Sequence, residues 1–353
     1  MRSIGRGRRG ASQWAGLALL SAGVAFGLDF VRLPAAFLIG PLVAAIAVRL
    51  AGAEITVARP AIFASQAVVG AMIGAVLTPA IVATVVADWP VIVAVVTATV
   101  VFALAAGWML SRFGVVPGTT GVWGSSPGAA TAMVILAEAN GGDVRLVAFM
   151  QYLRVLFVAS AASIGARLWL GVDGPQAAHV FFPAMEIGAF ALTLGLIAVA
   201  GIAGHVARLP SGAMIGPLFA VAILQGAGLA TVVLPPWLLI AAYAGLGWNI
   251  GLRFTREAVA HAARALPWIV VSILALMSFS AGLAVILVYE VGVDPLTAFL
   301  ATSPGGLDTI AIIAASTPVD VSFVLALQAV RFFGLVLVGP TLSRAVAALL
   351  PKR

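Results

Sequence analysis

The chain has 353 residues, of which 63% are hydrophobic and only 9% are charged, and its mean hydropathy is +1.17. A soluble domain is about 25% charged, so this chain has too few charges to cover a surface in water. The absence of cysteine excludes disulfides and thiol chemistry. The net charge of +7 comes from basic residues that stand singly at the ends of apolar runs, a pattern typical of membrane proteins and not of nucleic-acid binding.

The apolar runs are long and unbroken, which predicts transmembrane α-helices and not the alternating strands of a membrane barrel. Four arginines precede the first run, so we predict a basic cytoplasmic tail at 1–12 followed by a retained first helix. The runs of the first half lie near 13–31, 34–51, 60–82, 90–111 and 144–168, with a Gly/Pro/Ser-rich segment at 115–142. Those of the second half lie near 184–204, 210–230, 236–253, 267–289 and 320–350, with a broken segment at 295–317.

Short motifs recur in the same order in the two halves, which predicts an internal duplication. The pairs are Arg32-Leu33-Pro34 and Arg208-Leu209-Pro210, Ile39-Gly40-Pro41-Leu42 and Ile215-Gly216-Pro217-Leu218, Ser126-Pro127-Gly128 and Ser303-Pro304-Gly305, and Gln151/Arg154 and Gln328/Arg331. We therefore predict a first membrane repeat at 13–170, a linker at 171–183 and a second membrane repeat at 184–350.

The two repeats can be parallel or inverted in the membrane. They are parallel if both broken segments cross fully, and inverted if each half crosses an odd number of times around a re-entrant broken segment. The inverted arrangement places most of the nineteen basic residues on the side of the N-terminal tail, as the positive-inside rule requires. Each half also crosses an odd number of times if the segment 115–142 crosses the membrane fully and another segment crosses it only halfway. We predict an all-α integral membrane protein with two inverted repeats of about five transmembrane helices each.

The triplets Ser126-Pro127-Gly128 and Ser303-Pro304-Gly305 predict helix interruptions, because proline lacks an N–H donor and glycine loosens the backbone. The helix after each break would direct its positive N-terminal end at the freed backbone groups, which favours anion binding. Paired interruptions in inverted repeats are typical of secondary transporters. The alternative is that each triplet only caps a helix in a surface loop.

Two arginines, Arg154 and Arg331, lie in the middle of apolar runs, each three residues after a glutamine, Gln151 or Gln328, on the same helical face. A charge at the centre of a transmembrane helix costs about 2.5–3.5 kcal/mol even on the mildest scale, so something must compensate for it. The arginines would either bind an anionic solute or act as buried clamps. A clamp would donate to carbonyls of the interrupted segment or pair with an acidic side chain such as Asp308 or Glu138.

Asp308 follows the second break, where it could bind a coupling cation or neutralise Arg331. Asp143 and Asp320 directly precede helical runs and are predicted to be N-caps. The three histidines lack the spacing of a metal site, so we predict no metal, no cofactor and no catalytic residue.

The Leu-Pro…Ile-Gly-Pro-Leu pairs, the two Ser-Pro-Gly triplets and the Gln-x-x-Arg pairs resemble the membrane AbrB family, which has a duplicated membrane domain. The resemblance implies a bacterial inner-membrane location. Two labels accompany that family: ammonia-monooxygenase-like protein and regulator of gene expression. No cluster of metal ligands supports the first label, and no soluble domain is present to contact DNA, so regulation would act indirectly.

The residues themselves favour a secondary transporter of a small, anionic solute. Its substrate site would be formed by Ser126, Pro127, Gly128, Ser303, Pro304, Gly305, Gln151, Arg154, Gln328 and Arg331. The alternative is a membrane-embedded sensor or regulator, and a metal oxygenase is the least supported class. The expected partners are the lipid bilayer, a small-molecule solute and further copies of the chain in a homo-oligomer, without direct contact to nucleic acid.

Overall fold

The computed structural model describes residues 2–30, 36–170, 180–209, 211–229, 231–306, 310, 314 and 317–349. All regular elements in these residues are helical, as the unbroken apolar runs predicted. The helices are α1 Arg2–Phe30, α2 Ala36–Leu50, α3 Arg59–Gly74, α4 Pro79–Ala87, α5 Trp89–Arg112, α6 Thr120–Ser125, α7 Ala130–Ala139, α8 Val144–Leu170, α9 Ile187–Val206, α10 Gly212–Gly226, α11 Pro236–Gly251, α12 Arg256–Ile286, α13 Pro295–Thr302 and α14 Val321–Ala348. A π-helical turn, Leu287–Val291, extends α12.

Five helical segments in the described part of the chain are long and apolar enough to cross a membrane. They are Ser12–Phe30, Trp89–Arg112, Ile187–Val206, Arg256–Val291 and Val321–Val346. The pair α3 and α4, bent by 56°, adds a sixth candidate when it is taken as one broken span. Since about 20 apolar residues are needed to cross the hydrocarbon core as a helix, the chain is a multi-pass membrane protein.

Several of the predicted apolar runs form helices shorter than a membrane span. The runs at 34–51 and 210–230 contain α2 and α10, each of 15 residues with a proline inside, Pro41 and Pro217 respectively. At 1.5 Å per residue such a helix is about 22 Å long, against about 30 Å for the hydrocarbon core. These two helices therefore cannot cross alone as straight spans.

The chain divides into two compact units, and each takes segments from both halves of the sequence. Unit 1 consists of Met1–Gly70, Val180–Pro217 and Val233–Ala263. Its apolar cluster contains Leu17, Ala44, Ala45, Ala53, Ile55 and Leu252, with Trp14 and Trp248 packed against it. Within unit 1, α2 and α11 approach so closely that a Cβ added at Gly251 would overlap the Leu42 carbonyl oxygen. Small residues at this crossing allow the backbone contact.

Unit 2 consists of Ala71–His179, Leu218–Val232 and Arg264–Arg353, and it contains both Ser-Pro-Gly triplets and both Gln-x-x-Arg pairs. Its core combines residues of α4, α5, α12, α13 and α14. Ile92, Leu300, Val324 and Ala326 are each fully buried in this core. All six residues of the two triplets are buried, so their free backbone groups need partners within the protein.

Asp143 and Asp320 cap α8 and α14, as the sequence predicted. Asp143 Oδ1 accepts a hydrogen bond from the Arg145 backbone N–H at 3.0 Å, and Asp320 Oδ1 accepts one from the Phe323 N–H at 2.9 Å. Asp143 also forms an ion pair with the Arg145 guanidinium at 2.8 Å. Burial raises the pKa of the Asp143 carboxyl, but the hydrogen bonds and charge of Arg145 outweigh that effect, so its pKa lies below the usual 3.8.

Candidate functional site

Both triplets interrupt a helix, as predicted. In the first half α6 ends at Ser125 and α7 begins at Ala130, and in the second half α13 ends at Thr302. The two helices that precede the breaks are only 6 and 8 residues long, and almost all their residues are buried. The last carbonyls of a helix have no intrahelical donor, so these two buried helix ends depend on side chains for their hydrogen bonds.

In the first half, Gln151 and Arg154 of α8 cap the C-terminal end of α6. Gln151 Nε2 donates to the Trp123 carbonyl at 2.7 Å and to the Ser126 carbonyl at 3.0 Å. Arg154 Nη1 donates to the Ser126 carbonyl at 2.8 Å, and its Nη2 donates to Gln151 Oε1 at 2.5 Å. A weaker contact joins Nη2 to the Gly128 carbonyl at 3.5 Å. The glutamine and arginine therefore act as one unit on the broken segment.

The same contacts recur in the second half. Gln328 Nε2 donates to the carbonyls of Leu300 and Ser303, at 3.0 Å each. Arg331 Nη1 donates to the Ser303 carbonyl at 3.0 Å, and its Nη2 donates to Gln328 Oε1. Glutamine and arginine of α14 thus hold the end of α13 as those of α8 hold the end of α6.

These contacts confirm that both arginines clamp the interrupted segments through carbonyls. A cation at a helix C-terminus is stabilised by the partial negative charge of the unpaired carbonyls. Arg154 and Arg331 are only 1% and 3% exposed, and neither forms an ion pair with another described residue. Of the predicted acidic partners, Glu138 is exposed near the end of α7, and Asp308 lies outside the described residues. Carbonyl dipoles therefore provide the compensation seen for both charges.

The two broken segments and the two clamps come together within unit 2. A Cβ added at Gly128 would lie 3.4 Å from the ring of Phe332, which follows Arg331 in α14. A Cβ added at Gly305 would lie 3.1 Å from Val158 of α8. Each break therefore lies beside the helix that clamps the other, and the predicted site residues of the two halves share one region.

Several buried polar groups in this region have no hydrogen-bond partner among the described residues. They are the Nε of Arg154 and of Arg331 and the hydroxyls of Ser125, Thr131 and Ser303. Ser125 and Thr131, 6% and 3% exposed, were not among the predicted site residues. Unpaired buried polar atoms are costly, so five of them around two broken helices indicate a place where a polar ligand or water can bind.

The described residues contain no group of three His, Asp or Glu side chains that could hold a metal ion. Outside this region, Asn249 lies in unit 1, where its Oδ1 accepts a hydrogen bond from Arg253 Nη2 at 3.2 Å.

A family model described as "Transition state regulatory protein AbrB" matches residues 37–347. A relative from Escherichia coli (strain K12), named "Putative regulator AbrB", is 45% identical over 344 residues, which cover 97% of this chain and 98% of that protein. The match spans both units and both Gln-x-x-Arg clamps, as the resemblance of the paired motifs predicted. The chain therefore belongs to the AbrB family of membrane proteins.

Proposed function

We propose that this protein is a secondary transporter of a small anionic solute in the bacterial inner membrane, with its N-terminus in the cytoplasm. The observation that supports this most directly is the pair of buried guanidinium groups at two helix breaks that lie together in unit 2. Each guanidinium uses its Nη atoms to hold a break, while its Nε–H has no partner among the described residues. These two N–H groups are available to a ligand.

The charge balance at the breaks favours an anion. Each clamped helix end supplies about half a negative charge, so two full positive charges are only partly offset. The N-terminal end of α7, which begins directly after the first break, adds partial positive charge. A small anion between the breaks would reduce the repulsion between Arg154 and Arg331 and accept hydrogen bonds from Nε–H groups and hydroxyls.

The transport hypothesis includes a duplicated, inverted architecture of about five transmembrane helices in each repeat. Its support is the recurrence of the same clamp in both halves, together with reciprocal close crossings. In unit 1 a Cβ at Gly247 would lie 3.1 Å from Leu38 and 3.0 Å from Leu42 in α2, and a Cβ at Gly70 would overlap Met214 of α10. Gly70 and Gly247 lie 177 positions apart in the chain, so helices of one half pack on helices of the other at corresponding positions.

Single-cysteine labelling of this cysteine-free chain tests the inversion. The probes are Ala139→Cys at the end of α7 and Thr317→Cys near the start of α14. Gly141 is less suitable, because its φ of +75° strains any other residue. Inverted repeats predict that membrane-impermeant reagents label Ala139→Cys only from the cytoplasm and Thr317→Cys only from outside. Labelling of both from one side would refute the inversion.

Flux in proteoliposomes tests the transport function. The wild-type chain should transport at least one member of a panel of carboxylates, sulfate and phosphate. Thr131→Val and Ser303→Ala should each raise the KM for that anion about tenfold, because each removes a hydroxyl that binds it. The matched controls are Thr99→Val and Ser343→Ala. Both hydroxyls are buried, but Thr99 already donates to the Val95 carbonyl and Ser343 to the Pro340 carbonyl. Equal effects in test and control variants, or no flux of any anion by the folded protein, would contradict the hypothesis.

Asp308 is proposed as the ligand of a coupling ion, H⁺ or Na⁺. Asp308→Asn should then abolish the stimulation of uptake by an imposed ion gradient while anion exchange persists, because exchange needs no net movement of the coupling ion. If the variant still concentrates the solute in response to the same gradient, Asp308 has no coupling role.

The second candidate function is a membrane-embedded sensor or regulator, and it is favoured by the name of the Escherichia coli relative. A sensor would bind the anion at the same breaks without moving it. Equilibrium binding to purified protein that is lost in Thr131→Val, combined with no flux in proteoliposomes, would favour the sensor. Binding with flux would favour the transporter.

A further inference from the structure

A half-open cavity of about 490 Å³ lies within unit 1, between the start of α3 and the end of α11, well separated in sequence from the helix breaks. Its lining residues are Thr56, Val57, Ala58, Arg59, Ile62, Asn249, Leu252 and Arg253. We refer to it as the Arg59–Arg253 pocket. Two of the eight side chains are permanently cationic and none is acidic, so the cavity has a clear preference for negative charge.

The polar groups of the pocket suit a tetrahedral oxyanion. Arg59 and Arg253 present planar guanidinium groups, which bind phosphate oxygens through two parallel N–H donors. Asn249 Oδ1 accepts from Arg253 Nη2 at 3.2 Å and so restrains that side chain. Because α3 begins at Arg59, its first turn also adds partial positive charge beside the cavity.

The floor of the pocket is apolar. Leu252 is buried at 7% exposure and belongs, with Val57 packed beside it, to the apolar cluster of unit 1. Trp14 and Trp248, also packed on that cluster, meet edge to face at 5.6 Å. Tryptophan is enriched at the boundary between hydrocarbon and headgroups. A cationic rim above an apolar floor therefore fits an anion that has an apolar part.

We propose that the Arg59–Arg253 pocket binds a phosphate group, either that of an anionic phospholipid headgroup or that of a soluble phosphate compound. The site is specific to one half of the chain. The residues at the duplicated positions are Pro236 for Arg59, Met72 for Asn249 and Val76 for Arg253, and none is charged. Binding at this pocket is therefore independent of the proposed anion site at the helix breaks, which is present in both halves.

Calorimetric titration of the purified full chain tests this site, with short-chain phosphatidylglycerol and inorganic phosphate as separate probes. The pocket variant is Arg59→Gln with Arg253→Gln, which should weaken binding at least about tenfold, since hydrogen bonds to charged groups are strong. The control is Arg112→Gln with Arg344→Gln, which removes the same charge from exposed helix positions outside the pocket. It should leave the affinity within about twofold.

A further variant, Thr56→Glu, keeps both arginines and adds a negative charge to the lining at an exposed position, so it tests the site even if the double variant folds poorly. It should weaken binding to a similar extent. Binding of phosphatidylglycerol alone identifies a lipid site, and binding of inorganic phosphate as well identifies a general phosphate site; both outcomes support the proposal. It is overturned if the wild-type chain binds neither probe, if the control loses as much affinity as the pocket variant, or if Thr56→Glu has no effect.

Discussion

Replacing Gln151 by leucine tests the clamp without removing either charge. The substitution leaves the Trp123 carbonyl without the donor at 2.7 Å and Arg154 Nη2 without the acceptor at 2.5 Å. The Ser126 carbonyl keeps its hydrogen bond from Arg154 Nη1 at 2.8 Å. Two buried groups, one of them charged, therefore lose their main partner, at a cost of about 1–3 kcal/mol each.

The gain from burying a leucine in place of a glutamine offsets part of this cost, by about 1–2 kcal/mol. We therefore expect Gln151→Leu to lower the free energy of unfolding by about 2.5 kcal/mol, the middle of these ranges. The equivalent change at Gln328 should cost a similar amount, because it removes the donor to the Leu300 carbonyl at 3.0 Å and the acceptor of Arg331.

The matched control is Gln225→Leu in α10. Gln225 is only partly buried, donates once, to the Ala75 carbonyl at 2.8 Å, and its Oε1 has no partner among the described residues. Its replacement should cost less than about 1 kcal/mol. Unfolding in detergent, followed by intrinsic tryptophan fluorescence, measures all three variants. If Gln151→Leu is no more destabilising than Gln225→Leu, the clamp does not stabilise the broken segment.

Two further predictions concern packing and pH. Gly70→Ala should destabilise the protein by about 1–3 kcal/mol in the same unfolding assay, because the new Cβ overlaps Met214. The control is Gly282→Ala in α12, which should be neutral or slightly stabilising because a Cβ there meets no atom within 4 Å. The pKa of Asp143 is lower in the folded state than in the unfolded chain, where it is near 3.8. The ionised carboxylate therefore adds to the free energy of unfolding above the unfolded pKa, and this contribution is lost as the pH falls through the folded pKa. Asp143→Asn should therefore lower the free energy of unfolding by about 1 kcal/mol at neutral pH and by less near pH 3. Unfolding of both proteins at the two pH values measures this difference. A difference that does not change with pH would contradict the ion pair with Arg145.

The helix breaks and the helix caps followed directly from local chemistry. Proline and glycine cannot continue a helix without cost, and an aspartate before an apolar run has few roles other than capping, so Ser126-Pro127-Gly128 and Asp143 were interpretable without tertiary information. The need to compensate Arg154 was also evident. The sequence left open whether carbonyls of the broken segment, an acidic side chain or a bound anion compensates it, because only the fold brings the carbonyls of residues 125 and 126 close to α8.

The unpartnered hydroxyls could not be predicted, because serine and threonine in an apolar helix usually bond their own backbone. Thr99 does so, donating to the Val95 carbonyl at 2.8 Å, and in sequence it looks no different from Thr131. Thr131 lies in the first turn of α7, and no residue of a preceding helical turn is present there to offer an i−4 carbonyl. Its position beside the break therefore decides whether the hydroxyl is satisfied.

The clamp also determines which substitutions can separate structure from function at the breaks. Arg154 donates from its Nη atoms to carbonyls of the broken segment, while its Nε has no partner among the described residues. Any substitution of Arg154 would therefore alter both the stability of the helix end and the binding of a ligand. Lysine would keep the charge but not the planar fork that reaches Ser126 and Gln151 at once. The unpartnered hydroxyls of Thr131 and Ser303 have no such structural duty among the described residues. A loss of flux in their variants, without a loss of stability, would therefore report on the ligand and not on the fold.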